Sequence, residues 1–495
     1  MEFSFGLSDL VLVSPLVVLF LLSIVPLTIK VLGGNREPNP NMTLVYGLAG
    51  VIGAAIFVVA SAPRVLSESV TAFSGSLVFD GVGTVGSLVV LASLFLTLLY
   101  SRESYAMCDH QFSEKVFLMM NAAIGMLLLA WASDLIMVFI SIELMSLCLY
   151  ILIALSQEEK LSKEAAFKYF ILGSFASAIF LYGVAFIYGT VGSVQLPVIR
   201  TQAVELISYS RLFLMGMVLT ILGFCFKVAI APFHSWAPDV YEGAPTTLTG
   251  FMATSVKVVS FVAFLRLITT NPLQGVRAET LVDALQWLAA ITMMVGNIAA
   301  VVQTSFKRML AYSSVAHSGY IMVAMIAAGI GGSSVLGATG VIYYAVAYTI
   351  MTLGAFGAIS LFETKYDKRV VIDDIKGLAY QRPWTAIFIT IFMLSLAGIP
   401  PTIGFFGKFY IFSAAVKQGL YWLAFWGVLS SVISVYYYLR PVVVMYMKES
   451  DEVSLRPQNG LTQFSIAFSA ALVLVGGLIV EPVFQYIYRS VQQLF

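Results

Sequence analysis

A chain of 495 residues that is 60% hydrophobic and only 11% charged is not an ordinary soluble protein, in which roughly 25% of residues are charged. Its net charge of +1 offers no field for a polyanion, which excludes a nucleic-acid partner. The three cysteines, Cys108, Cys148 and Cys225, are scattered without a C-x-x-C pair, so the ligand spacings of zinc and iron–sulfur sites are missing from the sequence.

A helix that crosses a membrane needs about 20 apolar residues. In chain order, spans are predicted near 9–32, 43–62, 82–100, 114–131, 134–155, 164–190, 211–231, 247–269, 281–304, 309–330, 336–362, 384–414, 421–446 and 461–486. Glu2 and Asp9 are wrong for a secretory leader, so the first apolar run is read as a retained helix. The fold class is therefore an all-α polytopic membrane protein of about fourteen transmembrane helices. Residues 1–495 form a single membrane domain. It divides into three N-terminal helices (1–113), a first five-helix unit (114–269), a second (281–446) and a C-terminal helix (461–486).

Lysine and arginine in short loops set the orientation. Seventeen fall on one side, among them Lys30, Arg102, Lys307, Arg308, Lys376 and Lys448, and seven on the other, among them Arg64, Arg200 and Arg266. The first side is read as cytoplasmic and both termini as external. The 190–211 connection should face out and position 367 should face in. The remaining lysines, Lys227, Lys257 and Lys408, fall inside spans.

Span 7 breaks at Ala231-Pro232. Segment 384–414 is too long for one straight crossing, and Pro400-Pro401 interrupts it, because proline has no amide donor and clashes with a continuing helix. Irregular backbone at membrane depth needs surrounding protein or a water-filled cavity. Such broken helices in corresponding halves mark ion sites. Spans 7 and 12 are the discontinuous pair, and SVKVVSFVAFLR (255–266) resembles SVISVYYYLR (431–440). The implied units are spans 4–8 and 9–13, and their odd number of crossings makes them inverted repeats.

Glu143 lies mid-span in FISIELMSLCLYIL, Lys227 before the first break, Lys257 in the centre of span 8, and Lys408 after the second break. An ionised side chain at the bilayer centre costs at least ~2.5–3.5 kcal/mol. A buried lysine loses its proton more readily, a nearby carboxylate restores it, and arginine offers no such range. A Glu143–Lys227 pair would hold a proton that separation releases. Glu143, Lys227, Lys257 and Lys408 are the candidate proton-transfer residues. His317 in span 10 and His234 in PFHSWAPDVYEGAP are candidates for the proton path.

Other features have plainer readings. Asp134 is a helix-start carboxylate. The sequon Asn41-Met42-Thr43 falls on the cytoplasmic side and is discounted as a glycan site. The glycine-rich run 329–340 follows no strand and matches no nucleotide motif. The 363–382 loop is a solvated connection or a contact for a soluble partner. His234, Asp239 and Glu242 together fit no standard metal spacing.

The motifs KVAIAPFHSWAPDVYEGAP, the central lysine of the following helix, the mid-span Ile142-Glu143 and AGIPPTIGFFGKF resemble the antiporter-like membrane subunits of proton-pumping NADH:quinone oxidoreductase, respiratory complex I. The resemblance covers nearly the whole chain. Lys408 stands where one branch of that family usually carries glutamate, and the C-terminal lateral helix of another branch is not seen. The resemblance implies fourteen helices with inverted five-helix repeats. It gives proton-transfer roles to Glu143, Lys227, Lys257 and Lys408. It also implies a translocase subunit in a hetero-oligomer with the other membrane subunits of complex I, in the bacterial inner membrane. NADH, flavin, iron–sulfur clusters and quinone are expected in partner subunits, with no cofactor or metal in this chain. The alternatives are a subunit of a multi-subunit sodium/proton antiporter, an enzyme acting on lipid at His234, Asp239 and Glu242, and a passive scaffold.

Overall fold

A computed structural model describes residues 6–104, 107–155, 160–331, 334–363, 370–449 and 460–495. Position 367 and residues 332–333 of the glycine-rich run lie outside the described residues. The protein is an all-α polytopic membrane protein. Twelve helices among the described residues are long and apolar enough to cross a membrane, from Ser14–Leu32 to Gly460–Leu478. All but the last match the predicted spans to within about five residues at each end, because without water a segment can satisfy its amides only internally. Spans 7 and 12 appear as shorter pieces: Arg211–Lys227 and Trp236–Gly243, then Pro383–Ala397 and Ile403–Lys417.

Helix starts follow from the sequence. The Asp80 carboxylate accepts from Gly83 N at 2.7 Å and Asp134 from Met137 N at 2.6 Å, each satisfying an amide that the first turn leaves without a partner. Asp134 is thus the helix-start carboxylate that its position suggested.

Three elements differ from expectation. The 190–211 connection holds a helix, Leu196–Tyr209, that meets Arg211–Lys227 at 116° and so cannot share its axis. Ile199, Ala203 and Ile207 bury one face at helical spacing. Its length and mixed polarity hide it from a search for long apolar runs. A two-stranded hairpin, Val70–Ala72 with Leu77–Phe79, fills the connection before the third span. The predicted 461–486 span ends at Leu478 and continues as a separate helix, Val480–Gln492. Pro482 accounts for the break, since its ring opposes the carbonyl four residues earlier.

Each end of the bundle is tied by its own contacts. At the end holding the basic majority, Lys30 pairs with Glu37 at 2.7 Å and Glu114 at 2.6 Å. Arg102 donates to Asn41 Oδ1. At the opposite end, Ser133 N donates to Ser76 O at 2.9 Å and Gln195 Nε2 to Ser74 O at 3.1 Å, fastening the hairpin to spans 5 and 6. There too, Gln493 Nε2 donates to Val65 O and Leu66 O, and Gln493 Oε1 accepts from Gly81 N.

The strongest link at that end is Arg266, whose guanidinium grips both oxygens of Asp80 at 2.6 and 2.8 Å and also donates to Ala130 O. Both side chains are buried. The planar fork matches the carboxylate geometry, so the pair joins spans 3, 4 and 8. Removing one partner strands the other charge. Arg266→Met is therefore expected to cost roughly 3–5 kcal/mol, read as a lower thermal unfolding temperature of the purified assembly. Adding Asp80→Asn to that variant should restore part of the loss, because no bare charge is then left behind.

Candidate functional site

The first break begins where Lys227 ends its helix. Ala229 takes a positive φ of 58°, and the chain turns through Pro232 before Trp236–Gly243. The freed backbone groups find partners inside the protein: Ala231 N donates to Thr292 Oγ1 at 3.0 Å, and Trp236 Nε1 donates to Phe226 O at 3.1 Å. This is how a broken helix is tolerated at depth. Lys227 Nζ donates to Ser146 Oγ at 2.6 Å and stands 5.4 Å from the centre of the Tyr169 ring. The last turn of a helix carries partial negative charge, which suits an ammonium.

Glu143 and Lys227 do not form the direct ion pair expected from the sequence. The Glu143 carboxylate accepts a short hydrogen bond from Ser177, while Lys227 is held by Ser146, three residues on from Glu143. At that spacing Ser146 shares the helix face of Glu143, so a hydroxyl takes the place of the direct contact. Lys227, Ser177 and Gly223 line one small cavity.

Lys257 follows a π-helical turn, Met252–Val256, a distortion that recurs at functional positions. Its Nζ donates to Ser314 O and Ser314 Oγ at 2.6 Å and to Ser318 Oγ at 2.8 Å. His317 lies beside this cradle. Its Nδ1 is 2.5 Å from the Tyr344 hydroxyl and its Nε2 is 2.8 Å from the Tyr438 hydroxyl. The Tyr348 ring touches both groups, 5.8 Å from Lys257 Nζ and 5.0 Å from the imidazole.

Lys408 follows the second break. Its Nζ donates to Ala397 O, at the end of the preceding half-helix, at 2.8 Å and to Ser431 Oγ at 2.9 Å. Gly398 has φ 86°, and a Cβ there would lie 3.0 Å from Lys408 Cδ, so both the turn and the lysine stem require glycine. The Tyr320 ring lies 5.3 Å from Lys408 Nζ and 5.7 Å from the His317 ring. A cavity of about 680 Å³ opens beside Lys408, lined mainly by apolar groups such as Phe405, Phe409 and Val432.

The structure thus brings Lys257, His317 and Lys408 together through Tyr348 and Tyr320. Glu143 and Lys227 form a second group. The helices of the two groups meet through Phe224 stacked on Phe264. His234 is not gathered with Asp239 and Glu242. Those carboxylates bind Arg308 at 2.9 and 3.0 Å, and Asp239 also binds Lys168. No cluster able to hold a metal ion occurs among the described residues. The hydroxyls of Ser146, Ser177, Ser314 and Ser318 escaped sequence reading because serine is common in apolar helices, and only packing reveals which ones face a charge. Lysines that the sequence put among the loop charges are buried too. Lys307, read as a loop residue, is fully buried beside Glu363 at 3.8 Å. Lys115 of span 4 is buried against Asp109.

The chain is similar to known proteins in sequence and in fold. Residues 132–434 match the family described as NADH:quinone oxidoreductase/Mrp antiporter, TM. The chain is 53% identical to an NADH-quinone oxidoreductase subunit N of Bdellovibrio bacteriovorus, over 99% of this chain and 100% of that one. It is 39% identical to a subunit N of Trichlorobacter lovleyi over 90% of each. Its fold matches a chain of respiratory complex I from Thermus thermophilus with TM-score 0.80 and 30% identity, covering 95% of this chain and 98% of that one. A chain of the Mrp complex from Dietzia matches in fold with TM-score 0.80 at 19% identity, covering 99% of this chain and 98% of that one. The chain belongs to the NADH:quinone oxidoreductase/Mrp antiporter family of membrane subunits, and within it to subunit N of NADH-quinone oxidoreductase.

Proposed function

We propose that this subunit translocates protons through its interior, along Glu143, Lys227, Lys257, His317 and Lys408, while partner subunits pass electrons from NADH to quinone. The observation that carries the reading is the environment of the three lysines. Each is buried in a helix or at a helix break, and each donates to hydroxyls or carbonyls. No carboxylate contacts any of the three among the described residues. A structural ammonium at this depth would be expected to bond an opposite charge, since isolation costs several kcal/mol. An ammonium held by neutral acceptors can surrender its proton without stranding an anion, and lysine suits such a role. The imidazole of His317, bracketed by two tyrosine hydroxyls, can take a proton at one nitrogen and release it at the other. His234 belongs to the path as a candidate at the first break.

In the same reading the two broken segments count as spans 7 and 12, which gives fourteen crossings in two inverted five-helix units, 114–269 and 281–446. The basic end faces the cytoplasm of a bacterial cell and both termini face the periplasm. NADH, flavin, iron–sulfur clusters and quinone belong to partner subunits. Sodium/proton exchange is the competing activity, and dependence on sodium without NADH oxidation separates it.

Cysteine labelling tests the topology. A label applied from the periplasm should reach position 202 on the 196–209 helix and not position 376, and the reverse pattern overturns the orientation. In sealed vesicles carrying the whole complex, Lys227→Ala should lower proton pumping per electron while the full set of subunits remains. Normal pumping in that variant removes Lys227 from the path. Lys408→Met keeps the stem and deletes the charge. Transport predicts intact assembly with lost proton transfer. A scaffold predicts equal or greater stability with unchanged pumping, by the usual effect of replacing a buried ion with an apolar isostere.

A further inference from the structure

Glu363 ends the helical run that begins with Ser334–Ile359 and closes with Ser360–Phe362. It is buried together with Lys307, 3.8 Å away. Glu363 Oε1 accepts from Thr246 N at 3.0 Å and takes a short hydrogen bond from Thr246 Oγ1, while Lys307 Nζ donates to Ala244 O at 2.6 Å. The two charges therefore grip both sides of the seam between the half-helix Trp236–Gly243 and the helix that leads to Lys257. We propose that Glu363, held by Lys307, is the group that loads protons onto Lys257 from the basic end of the bundle. The proposal rests on the transport reading above.

Two features lead from this pair to Lys257. On the helix Ser334–Ile359, the hydroxyls at 344, 348 and 352 recur every fourth residue, and Glu363 caps the tighter turn Ser360–Phe362 that closes the run. The three hydroxyls share one stripe that leads from the Glu363 end past Lys257 at Tyr348 to His317 at Tyr344. The Tyr348 hydroxyl and Thr352 Oγ1 in the middle of the stripe are buried without a hydrogen-bond partner. Buried polar groups of this kind are ordinarily met by water, and here they would order a file between the carboxyl and the amine. On the facing helix, Ser314, which binds Lys257, lies seven residues after Lys307, on the same face.

The transfer balances simply. The Glu363 carboxylate takes a proton from water at the basic end. The neutral carboxylic acid passes it through intervening water to the neutral amine of Lys257. Lys257 becomes an ammonium and Glu363 returns to carboxylate, stabilised again by Lys307. No electron moves.

The test uses the assembled complex in sealed vesicles, with protons pumped per electron, NADH oxidation and subunit content measured together. Glu363→Gln keeps an oxygen for Thr246 but cannot carry a proton, whereas Glu363→Asp retains the acid. Loss of pumping in the glutamine variant with recovery in the aspartate variant, at equal subunit content, supports the proposal. Equal pumping in the two variants overturns it and leaves Glu363 a clamp on the seam. Should Glu363→Gln fail to assemble, Thr352→Val decides, with reduced pumping in favour and unchanged pumping against. Lys257→Met serves as the control. If it stops pumping while Glu363→Gln does not, only the loading role falls. If it pumps normally, the transport reading falls with it.

Discussion

The placement of an ammonium inside a membrane governs the rest of this structure. The desolvation cost cannot be avoided, so the protein must spend local backbone geometry to meet it. Lys227 ends a helix that the chain then abandons, and Lys408 caps the last carbonyl of a half-helix across a glycine turn. Helix ends expose carbonyls and partial negative charge, which is what a lone cation needs. The proline breaks thus do two things at once. They interrupt the ladder, and the second leaves the Ala397 carbonyl as an acceptor for Lys408 that a straight helix would have kept for itself. Lys257 reaches the same end differently, using a π-turn on its own helix and two serines on the next.

Hydroxyl groups carry the polar interior between these charges. Tyr344, Tyr438, Ser314 and Ser318 bond to His317 or Lys257 without adding formal charge. Asn297 joins the network from the side, donating to Tyr320 and accepting from Tyr437. A hydroxyl can donate and accept within one rotation. A network built from such groups can reverse its hydrogen bonds without moving a helix.

The broad architecture was legible because its cause is one-dimensional. Twenty apolar residues, a proline pair and a stranded lysine are visible in any window of the sequence, and twelve apolar helices, both breaks and the three buried lysines lie where those signals put them. What remained hidden depends on contacts between distant segments. The role of Ser146 as the group next to Lys227, in place of Glu143, follows from how two helices rotate against each other. Lys307 reads as a loop lysine because it follows a polar turn, yet it is buried against Ala244 O and Glu363, which lie far from it in the sequence. The 196–209 helix was missed for a related reason, since an amphipathic helix at the bundle end has no long apolar run to betray it.

The bonds of Gln493 have a consequence for how the chain is made. This residue holds the end of the helix Pro40–Ser67 and the start of Gly81–Glu103, which a ribosome delivers some four hundred residues earlier. The hairpin between those helices likewise waits for Ser133 and Gln195. During synthesis the first three helices must sit in the bilayer with this rim open, protected by lipid rather than by their final neighbours. Closure of the rim is therefore a late event of biogenesis.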